Sequence, residues 1–80
     1  MKKALILGAN SQDGYYLIQH LLQKDYKVIG AVRRSSINNL TRIKSFLKEI
    51  KLEYFDITDT SSISRLIINH NPSHIFNLAA

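Results

Sequence analysis

Four short, mostly apolar runs recur along the chain, at residues 4–7, 27–32, 52–55 and 74–78. Gly8, Arg33 and Asp56 follow the first three, and Ala79 follows the fourth. Continuous apolar runs of this length are typical of strands that are buried on both faces of a parallel sheet. The pattern therefore predicts four short strands.

The three segments between these runs have the spacing of helices with one buried face. Their predicted inner faces are Leu17, Ile18, Leu21 and Leu22; Leu40, Ile43, Leu47 and Ile50; and Ile63, Leu66 and Ile67. Short polar side chains favour helix N-caps because they accept the first unpaired N–H groups. We therefore expect Asn38 or Asn39 to cap the second helix, and Thr58, Asp59 or Thr60 to cap the third.

The resulting order, βαβαβαβ with short connections, predicts an α/β fold with right-handed crossovers. We expect a Rossmann-type parallel sheet with strand order 3-2-1-4, an incomplete half of a doubly wound domain. The first two helices should cover one face and the third the other, and the fourth strand should present a free edge. Such a chain, taken alone, is expected to be marginally stable or to self-associate.

The composition indicates one small globular domain, since 80 residues contain 45% apolar and 21% charged side chains. The net charge of +5 is scattered along the chain, so we do not expect a nucleic-acid partner. No run approaches the length of a membrane helix, and the absence of cysteine fits a reducing compartment, so we expect a cytoplasmic protein. The three histidines follow no ligand spacing, and no metal site is predicted.

The segment GANSQDG links the first predicted strand to the first helix, where a glycine-rich turn can bind a pyrophosphate at the free N–H groups of the helix. Its residues are the candidate phosphate contacts: Gly8, Ala9, Asn10, Ser11, Gln12, Asp13 and Gly14. A first glycine permits a tight turn, and the last lets the helix approach the sheet. A purely structural loop is the alternative.

Ser11 stands where turns of the form G-x-x-G-x-x-G carry their middle glycine. Its Cβ is expected to crowd the closest approach of backbone to phosphate, although its hydroxyl could donate a hydrogen bond in exchange. If the position also required a positive φ, serine would add roughly 1 kcal/mol or more of strain. We therefore expect cofactor binding that is weakened but not abolished.

The second predicted strand ends in Arg33, Arg34, Ser35 and Ser36, and no acidic residue occurs between Lys27 and Lys48. NAD sites usually place an acid at this strand end to hold the ribose 2′-hydroxyl. A guanidinium instead binds a phosphate through forked, charge-assisted hydrogen bonds. The segment favours NADP, with a solvated pair of arginines as the alternative.

Two further segments lie at the carboxyl edge of the predicted sheet, where ligands of open α/β sheets bind. Asp56 can accept a hydrogen bond from an adenine amino group while Ile57 packs on the ring; alternatively, Asp56 is a turn or cap residue. The small residues that follow the fourth strand would let a cofactor lie close to the backbone, and the candidates are Leu78, Ala79 and Ala80.

Taken together, the segments resemble the amino-terminal part of the GDP-mannose 4,6-dehydratases, which are extended short-chain dehydrogenases/reductases. The similarity spans essentially the whole chain and is carried by KKALILGANSQDGYYL, VRRSS, YFDITD and IFNLAA. The combination of QDG with RRSS is more specific than the fold pattern. The substitution of Ser11 is a departure from the family.

The resemblance implies an NADP-binding Rossmann domain, of which residues 1–80 form the amino-terminal part, followed by a nucleotide-sugar domain that is absent here. The family converts GDP-mannose to GDP-4-dehydro-6-deoxy-D-mannose and water, and its members often form homo-oligomers. Residues 8–13 would contact the pyrophosphate, 33–36 the phosphorylated ribose, 56–57 the adenine, and 78–80 the cofactor channel.

None of the four tyrosines begins the Tyr-x-x-x-Lys spacing that the family's catalysis requires, so no catalytic residue is assigned and this chain is expected to be inactive alone. Two alternatives stay open. The chain could belong to an enzyme acting on another nucleotide sugar, or it could be a non-catalytic NADP-binding or interaction module.

Overall fold

The computed structural model describes residues 2–33 and 40–79, which form a four-stranded sheet with helical segments on both faces. In chain order the elements are β1 (Lys3–Leu7), α1 (Gln12–Gln23), β2 (Lys27–Arg33), a 3₁₀ helix (Thr41–Phe46), β3 (Lys51–Phe55), α2 (Thr60–His70) and β4 (His74–Asn77). The strand order is β3-β2-β1-β4, and all three pairings are parallel. The predicted sheet and its order are confirmed.

The alternation of side chains along β1 divides the core into two layers, because successive residues of a strand point to opposite faces. Ile6 packs with Ile18 of α1 and Ile43 of the 3₁₀ helix. Leu5 lies in the other layer, with Leu66 of α2. The predicted distribution of helical segments over the two faces is therefore confirmed.

The second helical segment differs from the prediction, since it is a 3₁₀ helix and not an α-helix. Side chains three residues apart eclipse one another in a 3₁₀ helix, and Leu40, Ile43 and Phe46 all contact the same core layer. Among the described residues no side chain caps its start at Leu40, and the expected caps, Asn38 and Asn39, lie outside them. An apolar stripe this short does not distinguish the two helix types.

Asp59 caps α2, as one of the three predicted alternatives, and its side chain accepts a hydrogen bond from the Ser61 N–H at 3.0 Å. The hydrogen bond that the Ser61 hydroxyl donates to this carboxylate is the largest cause that lowers the pKa of Asp59, and the N–H bond adds to it. The expectation that Ile67 faces the sheet is wrong, because it is 36% exposed. Leu66 is the residue of α2 that is buried in the core layer with Leu5.

Strand β4 lies at one end of the sheet, so one of its sides is unpaired within the described chain. Ile75 of β4 pairs with Leu5 of β1 and is 47% exposed. The expected free edge is confirmed. Self-association of the chain through such an edge stays a prediction.

Candidate nucleotide-binding site

The turn between β1 and α1 passes directly beside the end of β4. Gly8 has a φ of 85°, and a Cβ at this residue would lie 3.0 Å from the Ala79 nitrogen and the Leu78 carbonyl carbon. The N–H groups of Gly8 and Ala9 both donate to the Ala31 carbonyl of β2, at 2.9 and 3.1 Å. The turn is therefore held at the carboxyl edge of the sheet, between β2 and β4.

Ser11 is the N-cap of α1 and has extended backbone, with φ −106° and ψ 171°. Its hydroxyl accepts a hydrogen bond from the Gly14 N–H at 3.0 Å and donates one to the Gly8 carbonyl at 3.1 Å. Ser11 therefore lacks the positive φ that would have added backbone strain. The hydroxyl could donate to a phosphate only by giving up its bond to Gly8.

Gly14 lets α1 approach the turn closely at Ala9, whereas the sequence predicted a close approach of the helix to the sheet. A Cβ at this position would lie 2.1 Å from the Ala9 carbonyl oxygen, a main-chain atom that cannot move without moving the turn. Gln12 and Asp13 form the exposed start of the helix. The N–H groups of a first turn have no partner further back in the helix and carry partial positive charge, so this start can receive an anion.

Arg33 reaches across the carboxyl edge of the sheet, and its Nη2 donates a hydrogen bond to the Ala79 carbonyl oxygen at 3.0 Å. Arg33 ends β2 and Ala79 follows β4, so the side chain passes over the end of β1, which lies between them. Two predicted site residues from distant parts of the sequence are thus brought together. Leu78 lies beside them, half-buried, with its N–H bonded to the Leu7 carbonyl at 2.8 Å.

Asp56 follows β3 at the same edge of the sheet, and its carboxylate holds the turn that precedes α2. Its Oδ1 accepts hydrogen bonds from the Thr58 N–H at 3.0 Å and the Thr58 hydroxyl at 2.7 Å. This is the turn role that the sequence left open as an alternative. Ile57 is 42% exposed.

The remaining candidates, Arg34, Ser35, Ser36 and Ala80, lie outside the described residues. Arg42 is one of the scattered cations that no sequence motif marks, and in the structure it lines a pocket with Gln12 from the phosphate turn.

Residues 2–33 and 40–79 contain no group of three or more histidine, aspartate or glutamate side chains placed to hold a metal ion. None of their helices has both the length and the apolar character required to span a membrane.

Several classes of dehydrogenase-like protein share this type of sheet, and comparison with known families shows which class the chain belongs to. A family model described as GDP-mannose 4,6 dehydratase matches residues 5–80. The chain belongs to the GDP-mannose 4,6-dehydratase family. It is 45% identical to the GDP-mannose 4,6 dehydratase of Drosophila melanogaster over 99% of this chain and 22% of that protein. It is equally similar, at 45%, to the GDP-mannose 4,6-dehydratase of Yersinia enterocolitica, over 100% of this chain and 23% of that protein.

The chain thus spans about a quarter of the length of these relatives of the GDP-mannose 4,6-dehydratase family. Among solved structures, it superimposes on dTDP-glucose 4,6-dehydratase from Bacillus anthracis, determined in complex with NAD, with a TM-score of 0.84. That match covers 100% of this chain and 27% of the other at 21% identity, and it supports the Rossmann-type fold.

Proposed function

We propose that this chain is the dinucleotide-binding segment of a GDP-mannose 4,6-dehydratase and that it binds NADP. One observation carries the proposal: the turn that leads into α1, at Gly8, and the Arg33 guanidinium both contact the backbone of Ala79 at one edge of the sheet. A pyrophosphate would lie at the helix start, and the cationic end of β2 would face the ribose phosphate.

The residues at this edge would bind and orient the dinucleotide. Gln12 and Asp13 would offer main-chain N–H groups to the pyrophosphate, and the close packing of Gly8 on residues 78–79 would leave the backbone near the cofactor. The bond from Arg33 to Ala79 would be exchanged for bonds to the ribose phosphate. Asp56 and Ile57 would contact the adenine.

In the whole enzyme the substrate would be GDP-mannose and the product GDP-4-dehydro-6-deoxy-D-mannose, with water released. The cofactor would supply hydride transfer to and from the sugar. The 80 residues contain no Tyr-x-x-x-Lys spacing, so this chain would bind NADP without dehydrating the sugar. We also propose a cytoplasmic location and, for the whole enzyme, a homo-oligomer.

Calorimetric titration of the chain with NADP and with NAD tests the proposal. Arg33→Gln should weaken NADP binding about tenfold or more and leave NAD binding within about twofold, since a charge-assisted bond to the 2′-phosphate is lost. Lys27→Gln is the matched control, because it removes the same charge from the opposite end of β2, about 20 Å away.

Equal affinity of the wild-type chain for NADP and NAD would refute the preference for NADP. Binding of neither dinucleotide by a folded chain would refute the proposed function as a whole. Incubation of the chain with GDP-mannose and NADP should give no product, and formation of the 4-dehydro-6-deoxy sugar would overturn the assignment of catalysis to residues outside it.

A further inference from the structure

The peptide bond between Asp13 and Gly14 lies in the first turn of α1, close to the Ser11 cap. Asp13 is exposed, whereas Gly14 is buried against the turn that precedes the helix. The backbone nitrogen of the residue after an aspartate can attack the aspartyl carboxyl, and glycine leaves that nitrogen unhindered because it has no Cβ. This pair of residues is therefore open to a rearrangement of the main chain.

The other aspartates of the chain lack this feature. Asp25 precedes a tyrosine, Asp56 an isoleucine and Asp59 a threonine, so the nitrogen that follows each of them is shielded by a side chain. Asp13 is the aspartate that a glycine follows.

The rearrangement needs no reactant other than water. The Gly14 nitrogen bonds to Cγ of Asp13, and the N–H proton leaves together with the carboxyl hydroxyl as a molecule of water. Water then opens the resulting succinimide ring at one of its two carbonyl carbons. Opening at the backbone carbonyl leaves the chain linked through the Asp13 side chain, as isoaspartate, with its mass unchanged.

Bulk at residue 14 cannot protect this bond, because the packing of the turn excludes it. A Cβ on Gly14 would overlap the Ala9 carbonyl oxygen, which is a main-chain atom. The close approach of α1 to the turn therefore requires the residue that also leaves the bond unshielded. Protection must come from the conformation of the helix start.

The Ser11 hydroxyl holds the attacking nitrogen in place. The Gly14 N–H donates to this hydroxyl at 3.0 Å, and the hydroxyl donates in turn to the Gly8 carbonyl at 3.1 Å. Ring closure moves the Gly14 nitrogen towards the Asp13 carboxyl, so this bond must break and the first helical turn must unwind. Helix ends open locally more readily than a whole domain unfolds. The strength of the cap therefore sets how often the reactive geometry is reached.

We propose that Asp13 is a site of spontaneous isomerisation to isoaspartate and that the Ser11 cap keeps this reaction slow. The product has one more methylene in the main chain between residues 13 and 14, which displaces the Gly14 N–H from the Ser11 hydroxyl and disrupts the start of α1. The consequence for ligand binding rests on the proposed function: the isomerised chain should bind NADP about tenfold or more weakly than the unmodified chain, because the helix start no longer presents its N–H groups together.

The test is prolonged incubation of the pure chain at neutral pH. Isoaspartate is counted by labelling with an isoaspartyl methyltransferase and is located by fragment mass spectrometry. Ser11→Ala removes the cap and Ser11→Gly largely retains its stability. Asp13→Glu keeps the charge but would require a larger ring.

Ile29→Val is the matched control for stability. Ile29 is fully buried in the core layer of α2, on the face of the sheet opposite α1. Loss of one buried methylene there destabilises the whole domain by an amount similar to a lost cap, without touching the helix start. It therefore separates local opening of α1 from global unfolding.

We expect isoaspartate at residue 13 and none at the other three aspartates. Its rate of formation should rise about fivefold in Ser11→Ala and stay within about twofold of the wild type in Ser11→Gly. Ile29→Val should isomerise as slowly as the wild type, and Asp13→Glu should form no isoaspartate at this residue. In urea that unfolds every variant, the chains that retain Asp13 should all isomerise at one faster rate.

Absence of isoaspartate at residue 13 in the urea-unfolded wild type would overturn the assignment of the site. Equal rates in Ser11→Ala and the wild type, or an equal acceleration by Ile29→Val, would overturn the role of the cap. An isomerised chain that binds NADP as tightly as the unmodified chain would overturn the stated consequence. A wild-type chain that isomerises as expected but does not bind NADP would refute the proposed function and support this inference.

Discussion

Replacement of Ser11 by alanine tests the capping role that the structure gives to this residue. The substitution removes the acceptor of the Gly14 N–H and the donor to the Gly8 carbonyl, at 3.0 and 3.1 Å. Loss of a serine N-cap to alanine costs about 1 kcal/mol, within a range of roughly 0.5–2, whereas glycine costs only a few tenths. In a domain of this size 1 kcal/mol corresponds to a shift of about 4–8 °C in melting temperature.

Thermal unfolding followed by circular dichroism should therefore rank the proteins as wild type, Ser11→Gly and Ser11→Ala, with Ala about 4–8 °C below wild type and Gly about 1–2 °C below. Ser45→Ala is the control, because this exposed serine of the 3₁₀ helix forms no side-chain hydrogen bond with any residue in 2–33 or 40–79. A melting temperature of Ser11→Ala equal to wild type would refute the capping argument. So would a Gly variant that is as unstable as the Ala variant.

The same two variants separate capping from crowding at the phosphate turn. If the Cβ of Ser11 crowds a bound pyrophosphate, Ser11→Gly should bind NADP more tightly than the wild type and Ser11→Ala should not. Equal NADP affinity of the Gly variant and the wild type would refute the crowding argument. Backbone strain does not support that argument, because the φ of Ser11 is −106°.

Three further predictions concern packing, the sheet edge and pH. Gly14→Ala places a Cβ 2.1 Å from the Ala9 oxygen and should lower the free energy of unfolding in urea by about 1–3 kcal/mol or more. The control, Gln19→Ala on the exposed side of α1, should change it by no more than about 0.5 kcal/mol. Similar unfolding midpoints of the two variants would contradict the close approach. Ile75→Lys adds charge at the free edge of the sheet, so it should shift the sedimentation of the concentrated chain towards that of the monomer. A wild-type chain that is monomeric at every concentration tested would refute association through this edge. The pKa of Asp59 is lowered on folding, so its contribution to stability is present above the ordinary carboxyl pKa and is lost as pH falls through the lower folded value. Asp59→Asn should therefore reduce the loss of stability that the wild type shows as the pH is lowered through this range. An unchanged dependence of stability on acid pH would contradict the assignment.

The strand order and the two core layers could be predicted because a parallel sheet requires buried strands and crossovers of one hand. The need for a glycine at residue 14 was also predictable, but the close contact is with Ala9 of the turn and not with the sheet as expected. These features depend on the alternation of strands and helices along the chain and on the volume of one side chain. Both can be read from short stretches of the sequence.

Other features depend on contacts between distant segments and could not be predicted. The bond from Arg33 to Ala79 joins residues 46 positions apart, and its existence depends on the exact reach of one side chain. Ser11 was compared with a glycine position in a motif, but its extended φ and its bonds to Gly8 and Gly14 appear only in three dimensions. The 3₁₀ helix was missed because Leu40 and Ile43 fit both helical periods.

The most direct test of the central claim, that the edge formed by the phosphate turn and the end of β2 binds NADP, is an amide ¹H–¹⁵N titration of the labelled chain. We expect saturable shifts for residues 8–14, Arg33 and Ala79. We expect no shift near the pair between His70 and Glu53, which joins the carboxyl end of α2 to β3 at 2.5 Å. Spectra of a folded chain that do not change with NADP, or that change at His70 and not at the turn, would contradict the central claim.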